Sequence, residues 1–198
     1  MAREQKKIDI LRAASRVFYL QGFEGTKIED IAKEAGIGKG TVYEYYQSKQ
    51  ELFDEAVSYN REMYIQEIKK TLALNGTFRE KFIALAKYQT DLVKRHINIF
   101  HLMSTSKIMA REMGALMLEQ NIRVAAILGD LVKEAVAQGE LRQDINPEIA
   151  AAVMIGTINQ YSSKKVIFSG ADPQDIDYEE MANIIFNGIG RQRDGSSV

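Results

Sequence analysis

The first 146 residues of this 198-residue chain contain no proline; Pro147 and Pro173 are the only two. Proline breaks a helix because it lacks an N–H and clashes with the preceding turn. Most of the chain therefore carries no imposed break, and its apolar residues recur at helical spacing. Ile8, Leu11, Ala14, Val17 and Phe18 form one stripe, which stops at Gly22. Leu52, Phe53, Ala56, Val57, Met63, Tyr64, Ile68 and Leu72 form a longer one, and Phe82, Leu85, Ala86, Gln89, Leu92 and Val93 a third. A short apolar patch, Ile97 to Met103, follows. Met113 to Val136 reads as one long helix stopped by Gly139. Asn146-Pro147-Glu148 is a helix start, with a capping Asn and Pro at the first helical position, and this helix runs to about Phe168. Asp177 and Glu180 open a last helix through Ile189. Thr26/Glu29, Ser48/Glu51 and Thr77/Glu80 have the spacing of capping boxes. No convincing alternation of period two interrupts the pattern. The expected fold class is all-α, with about nine helices.

Within that pattern one stretch carries chemistry, Thr26 to Lys49. A short helix from Thr26 to Ala35 would bury Ile28, Ile31, Ala32 and Ala35. Gly36 can take the left-handed conformation that ends it. Ile37 would turn back into the core, and a second short helix, about Lys39 to Tyr45, would carry Val42 inward. Two short helices joined at a glycine turn form a helix-turn-helix. The outward face of the second helix would be Lys39, Gly40, Thr41, Tyr43 and Tyr45. These side chains are short, or flat with a polar tip, and suit a phosphate backbone and groove. Lys49 beside the N–H groups of the next helix makes a phosphate site. Taken alone, helix–glycine–helix corners also occur as plain packing units.

Residues 5–53 resemble the N-terminal domain of the TetR family of bacterial transcriptional regulators. The likeness rests on Ile10-Leu11-Arg12-Ala13-Ala14, Phe18, Gly22-Phe23, Thr26, Ile31-Ala32, Ala35-Gly36, Lys39-Gly40-Thr41, Tyr43, Tyr45-Tyr46, Ser48-Lys49 and Leu52. It implies a DNA-binding domain over residues 1–48 and a ligand-binding and dimerisation domain over 49–198. It also implies phosphate contacts by Thr26, Thr41, Tyr43, Tyr45 and Lys49. Gly38, Lys39 and Gly40 would lie nearest the base edges, with Lys39 to guanine the specific contact. The family usually has Phe where this chain has Tyr46, so the Tyr46 hydroxyl needs a partner. Glu44 would repel phosphate if it faced DNA, so it is expected to point away or to accept from a cytosine amino group.

The resemblance further implies a dimer built from the Pro147 helix and the last helix. Ala151, Met154, Ile158, Met181, Ile184, Ile185 and Gly188 are the expected interface residues, since small and apolar side chains allow close pairing across a two-fold axis. Such a dimer presents its reading helices about 34–36 Å apart, hence a roughly palindromic operator. For an effector pocket, Met63, Tyr64, Tyr88, Leu92, Phe100, Met103, Met113, Met117 and Asn121 offer an adaptable lining. The segment from Gly139 to Ala150, with Gly156, is similar to many family members, including fatty-acid-responsive ones. The expected effector is a small lipophilic molecule, with an acyl-type compound one form of it.

No enzyme is expected. The chain has no cysteine, no phosphate loop, no dinucleotide fingerprint and no Gly-x-Ser-x-Gly elbow. His96 and His101 are five apart, on different faces of a helix, which does not suit a shared metal; no cofactor is expected. No run of about 18 apolar residues occurs, and the first residues mix charged and apolar side chains unlike a secretory leader. The expected setting is the cytoplasm, without membrane partners. The expected partners are double-stranded operator DNA, a lipophilic effector and a second copy of the chain. A DNA-bound regulator whose larger domain docks a protein instead of a small molecule is the other reading. The formal net charge is −1, an unusual balance for a nucleic-acid binder. Residues 1–53 hold nine basic and eight acidic groups, so placement rather than total charge must carry DNA binding.

Overall fold

The computed structural model describes residues 2–97 and 107–188, and every regular element among them is a helix. The chain divides into two compact units, residues 1–66 and 67–198.

The first unit begins with α1 (Ala2–Gly25), which leaves helical geometry at Gly22, φ 71° and ψ 171°. Two short helices come next, α2 (Ile28–Glu34) and α3 (Lys39–Tyr45), and then α4 (Lys49–Leu72). The apolar stripe of α1 supplies Ile10, Leu11, Ala14, Val17 and Phe18 to one core. Ile28, Ile31 and Ala32 of α2, Val42 of α3, Tyr46, and Leu52 and Ala56 of α4 complete it. Phe53 closes edge-on against Phe18 and Phe23, with ring centroids at 5.0 and 5.1 Å. Polar bonds add to this: Arg12 Nε donates to Tyr59 at 3.2 Å, and Asn60 donates to Ser15 at 2.9 Å. These contacts explain why the first unit reaches residue 66 rather than the boundary at 48/49 read from the sequence. The first half of α4 packs on α1 and belongs to that core.

The second unit holds the end of α4, α5 (Phe78–Arg95), α6 (Lys107–Ala137) and α7 (Pro147–Thr157). A π-helical segment (Ile158–Ser163) continues α7 into α8 (Lys164–Ser169). A 3-10 turn (Pro173–Asp175) then leads to α9 (Tyr178–Asn187). Phe82, Leu85, Val124, Leu128, Val132, Met154, Ile158, Val166 and Met181 are among its buried apolar residues. Phe186 meets Phe78 and Phe82 at 5.8 and 6.0 Å. The Arg79 guanidinium donates to Glu179 Oε2 at 2.5 Å and to Asn183 Oδ1 at 2.6 Å, joining α5 to α9.

Helix starts follow local chemistry, with two corrections. Thr77 and Glu80 form a full capping box, and Asn146 accepts from the N–H groups of Glu148 and Ile149 at 2.9 and 3.1 Å. Ser48 accepts from Glu51 N at 3.1 Å, but the Glu51 carboxylate accepts from Gln47 N, one residue earlier than the box requires. Thr26 is not a cap. Lys27 holds that position without a side-chain bond, while the Thr26 hydroxyl donates to the Gly22 carbonyl at 2.6 Å. The break of α1 at Gly22 leaves carbonyls without helical partners, and Thr26 satisfies one of them.

Candidate nucleic-acid interface

The α2–α3 turn is built as its sequence requires. Ala35 N donates to Ile31 O, Gly36 takes φ 66°, and Ile37 N returns to Ala32 O at 3.0 Å. That left-handed position is open to glycine at little cost. Ile37 then packs against the core, and α3 starts at once, with extended Gly38 before it. Val42 is fully buried and Tyr46 is 1% exposed, so the opposite side of α3 is fixed outward.

That outward side holds Gly38, Lys39 and Gly40, all exposed, Thr41 and Tyr45, half-buried, and Tyr43, 47% exposed. A Cβ built at Gly38 or Gly40 would meet nothing within 4 Å, and neither residue has a positive φ. Nothing inside the protein requires glycine at either place. Glu44 shares a shallow cleft of about 330 Å³ with Arg3, Glu4, Lys7 and Tyr45, beside the basic start of α1. Arg3 lies over the Tyr45 ring, 5.8 Å from its centroid.

Two expected phosphate ligands have partners inside the first unit. Thr26 is 1% exposed and its hydroxyl is bonded to Gly22, so its side chain is withdrawn from the surface. Lys49 donates to the Phe23 and Thr26 carbonyls at 2.8 and 3.1 Å and sits 4.4 Å from the Phe23 ring centroid. It closes the end of α1 by neutralising the negative end of that helix. One residue escaped the sequence reading. Glu29, read there only as the capping partner of Thr26, reaches Lys39, whose Nζ donates to Glu29 Oε1 at 2.5 Å. The bond to Lys39 holds the Glu29 carboxyl below the usual range, and the bond to Glu29 holds the Lys39 ammonium above its usual value. The signal was ten residues of separation across a turn, which no helical spacing rule reads.

Of the expected pocket residues, Met63 and Tyr64 lie half-buried on α4 in the first unit. Tyr88, Leu92, Met117 and Asn121 are half-buried in the second. Burial, and then the nearby Glu67 carboxylate, raises the Tyr88 phenol above its usual value. Phe100, Met103 and the side chain of Met113 lie outside the described residues. Of the expected dimer residues, Ala151, Met154, Ile158 and Met181 are buried within the second unit. Ile184 is 46% exposed, Ile185 half-buried and Gly188 exposed. The α7–α8 segment instead exposes Ile149, Val153, Tyr161 and Phe168. Among the described residues, no helix is long and apolar enough to cross a membrane.

A helix-turn-helix whose second helix turns an exposed face outward, followed by a separate helical unit, is the architecture that the family comparisons match to regulators of transcription. The chain belongs to the TetR family: residues 10–56 match the bacterial regulatory proteins of the tetR family, and residues 81–189 match the C-terminal domain of AefR-like transcriptional repressors. It is 23% identical to the fatty acid metabolism regulator protein of Bacillus subtilis, over 80% of this chain and 82% of that one. Among solved structures, the transcriptional regulator FadR of Bacillus subtilis in complex with stearoyl-CoA has a TM-score of 0.62 and 18% identity, covering 92% and 99% of the two chains. A TetR transcriptional regulator from Chloroflexus aurantiacus has a TM-score of 0.66 and 22% identity, covering 93% and 96%. At these identities the structural likeness concerns the fold.

Proposed function

We propose that this regulator acts in the cytoplasm as a homodimer that represses by binding a palindromic operator, and that an acyl-type lipophilic molecule releases it. The observation that carries the DNA-reading half is the start of α3, where Gly38 and Gly40 leave the backbone bare without an internal reason and flank Lys39. Thr41, Tyr43 and Tyr45 supply hydroxyls to phosphates, and Lys39 reads a base edge. The effector half is supported by the stearoyl-CoA in the Bacillus subtilis structure, together with half-buried Tyr88, Leu92, Met117 and Asn121 in the second unit. A pairing surface for the second copy is supported by exposed Ile149, Val153, Tyr161, Phe168 and Ile184.

Release needs linkage: the effector must bind the form that does not fit the operator more tightly than the form that does. α4 is the element suited to this, because it places Leu52 and Ala56 in the first core and carries buried Ile68 and Leu72 into the second unit. The test is selection from a random duplex library by the purified protein, followed by titration of the selected duplex with acyl-CoAs of increasing chain length. The expected result is an enriched two-fold-symmetric sequence and chain-length-dependent release. An asymmetric sequence overturns the dimeric reading, and saturating acyl-CoA without release overturns the acyl effector.

A further inference from the structure

Lys39 is held twice. Its Nζ donates to Glu29 Oε1 at 2.5 Å and lies 5.7 Å from the centroid of the Tyr43 ring. The ammonium thus sits between a carboxylate from α2 and an aromatic face one turn along α3. Both charged side chains remain open to solvent, 49% exposed for Lys39 and 57% for Glu29. An ammonium has three donors, and one is taken by Glu29. The other donors remain for an outside acceptor.

We infer that Glu29 is a positioning residue for sequence recognition: it fixes the Lys39 ammonium against Tyr43 so that the remaining donors meet a base acceptor, and it cancels the charge that Lys39 would offer to any phosphate. The inference rests on the reading that α3 contacts DNA. A free lysine loses rotamer freedom when it binds, and a prepositioned one loses less. On an unmatched duplex the pair stays closed, and Lys39 neutralises no phosphate. On a matched duplex the held ammonium donates to the base without a search. A pair that merely had to open before binding behaves differently: removing it would leave sequence preference unchanged or sharpen it.

The test compares wild type, Glu29→Gln, Lys39→Ala and the double variant. The probes are the duplex enriched from a random library and a shuffled duplex of equal composition. Glu29→Gln is expected to bind the shuffled duplex roughly two- to fivefold tighter, the scale of an exposed ion pair. Its salt slope on that duplex should steepen by about 0.9, as Lys39 now neutralises one phosphate. On the selected duplex the same variant should gain nothing, so preference falls. In the Lys39→Ala background, Glu29→Gln should shift both duplexes alike. Equal tightening on both duplexes with Lys39 present overturns the inference and makes Glu29 a plain repelling charge. Failure to enrich any duplex overturns the DNA contact itself, a separate outcome. Glu29→Ala, equally exposed, repeats the comparison with the side chain removed, and unchanged helicity and melting confirm that folding is not the variable.

Discussion

Gly40 stands at the second position of α3, where alanine favours a helix by about 0.5–1 kcal/mol. A Cβ there has open space around it, so Gly40→Ala is expected to raise the unfolding free energy by about that amount. The same change should weaken binding to the selected duplex severalfold, because the added methyl stands where the groove must approach. Urea denaturation and fluorescence anisotropy separate the two effects; a more stable variant with full affinity removes the start of α3 from the interface. Tyr46 makes the opposite case. It is 1% exposed and its hydroxyl has no partner with hydrogen-bond geometry among the described residues. Burial first, and then the charges of the Glu55 and Glu51 carboxylates and the closeness of Glu55 to the hydroxyl, push its phenol well above the usual range, so it stays neutral. Tyr46→Phe removes a buried hydroxyl without a well-formed bond and is expected to stabilise the first unit by about 1 kcal/mol; a lower melting temperature would show that the hydroxyl is bonded to the nearby Glu55 carboxylate. Such residues divide by what the sequence can say. Gly36, Ile37 and Val42 were legible, because a left-handed turn and an inward apolar side chain are local demands. Thr26 and Lys49 were not, because their partners are carbonyls freed where α1 breaks, which only the assembled fold brings near.

At the scale of elements, starts and stops were the most legible feature, and caps are the reason. Gly139 takes φ 77°, Glu140 N donates to Ala135 O at 2.9 Å and Gly139 N to Val136 O at 3.1 Å. That double closure is the usual glycine stop of a helix. Asn146 opens α7 by accepting two N–H groups, so Asn146→Ala is expected to cost the second unit about 1 kcal/mol. A loss seen in chemical denaturation, with unchanged binding to the selected duplex, would confine its role to folding. The π-helical segment was not legible, since nothing in its composition departs from a helix. It nevertheless sets the phase of α8 relative to α7. Nineteen residues separate Ile149 from Phe168, which at 100° each leaves them about 100° apart around a regular helix. A π turn takes in one extra residue, about 100° of phase, and returns Phe168 toward the line of Ile149. Both are exposed, as are Val153 and Tyr161 between them. Ala151, Met154 and Ile158, grouped with them by the sequence pattern, are buried in the second unit instead. Helical spacing groups residues by face, but α7 is apolar on more than one face, and spacing alone does not say which meets the core.

At the scale of the whole molecule, the near-neutral charge becomes informative. Residues 1–53 carry only one excess positive charge, and Lys39, Lys7 and Arg16 each sit in an ion pair. A single head with so little excess positive charge has little non-specific attraction to hold it on DNA. In the proposed homodimer, affinity comes from reading two half-sites at once, which makes pairing of copies part of recognition. Linked binding raises affinity by roughly 10²–10⁴ over one site, provided that both heads engage together. The exposed apolar row of Ile149, Val153, Tyr161 and Phe168 is where a charge should uncouple the copies without touching either core. Val153→Asp combined with Phe168→Asp is therefore expected to give a folded monomer by sedimentation, with helicity retained. Its affinity for the full selected duplex should fall by roughly a hundredfold or more, toward that of a single half-site. The same variant should bind an isolated half-site as wild type does, because α3 is unaltered. A dimer that survives both substitutions would move the interface to another face, and a monomer that keeps full affinity would mean that one reading head suffices.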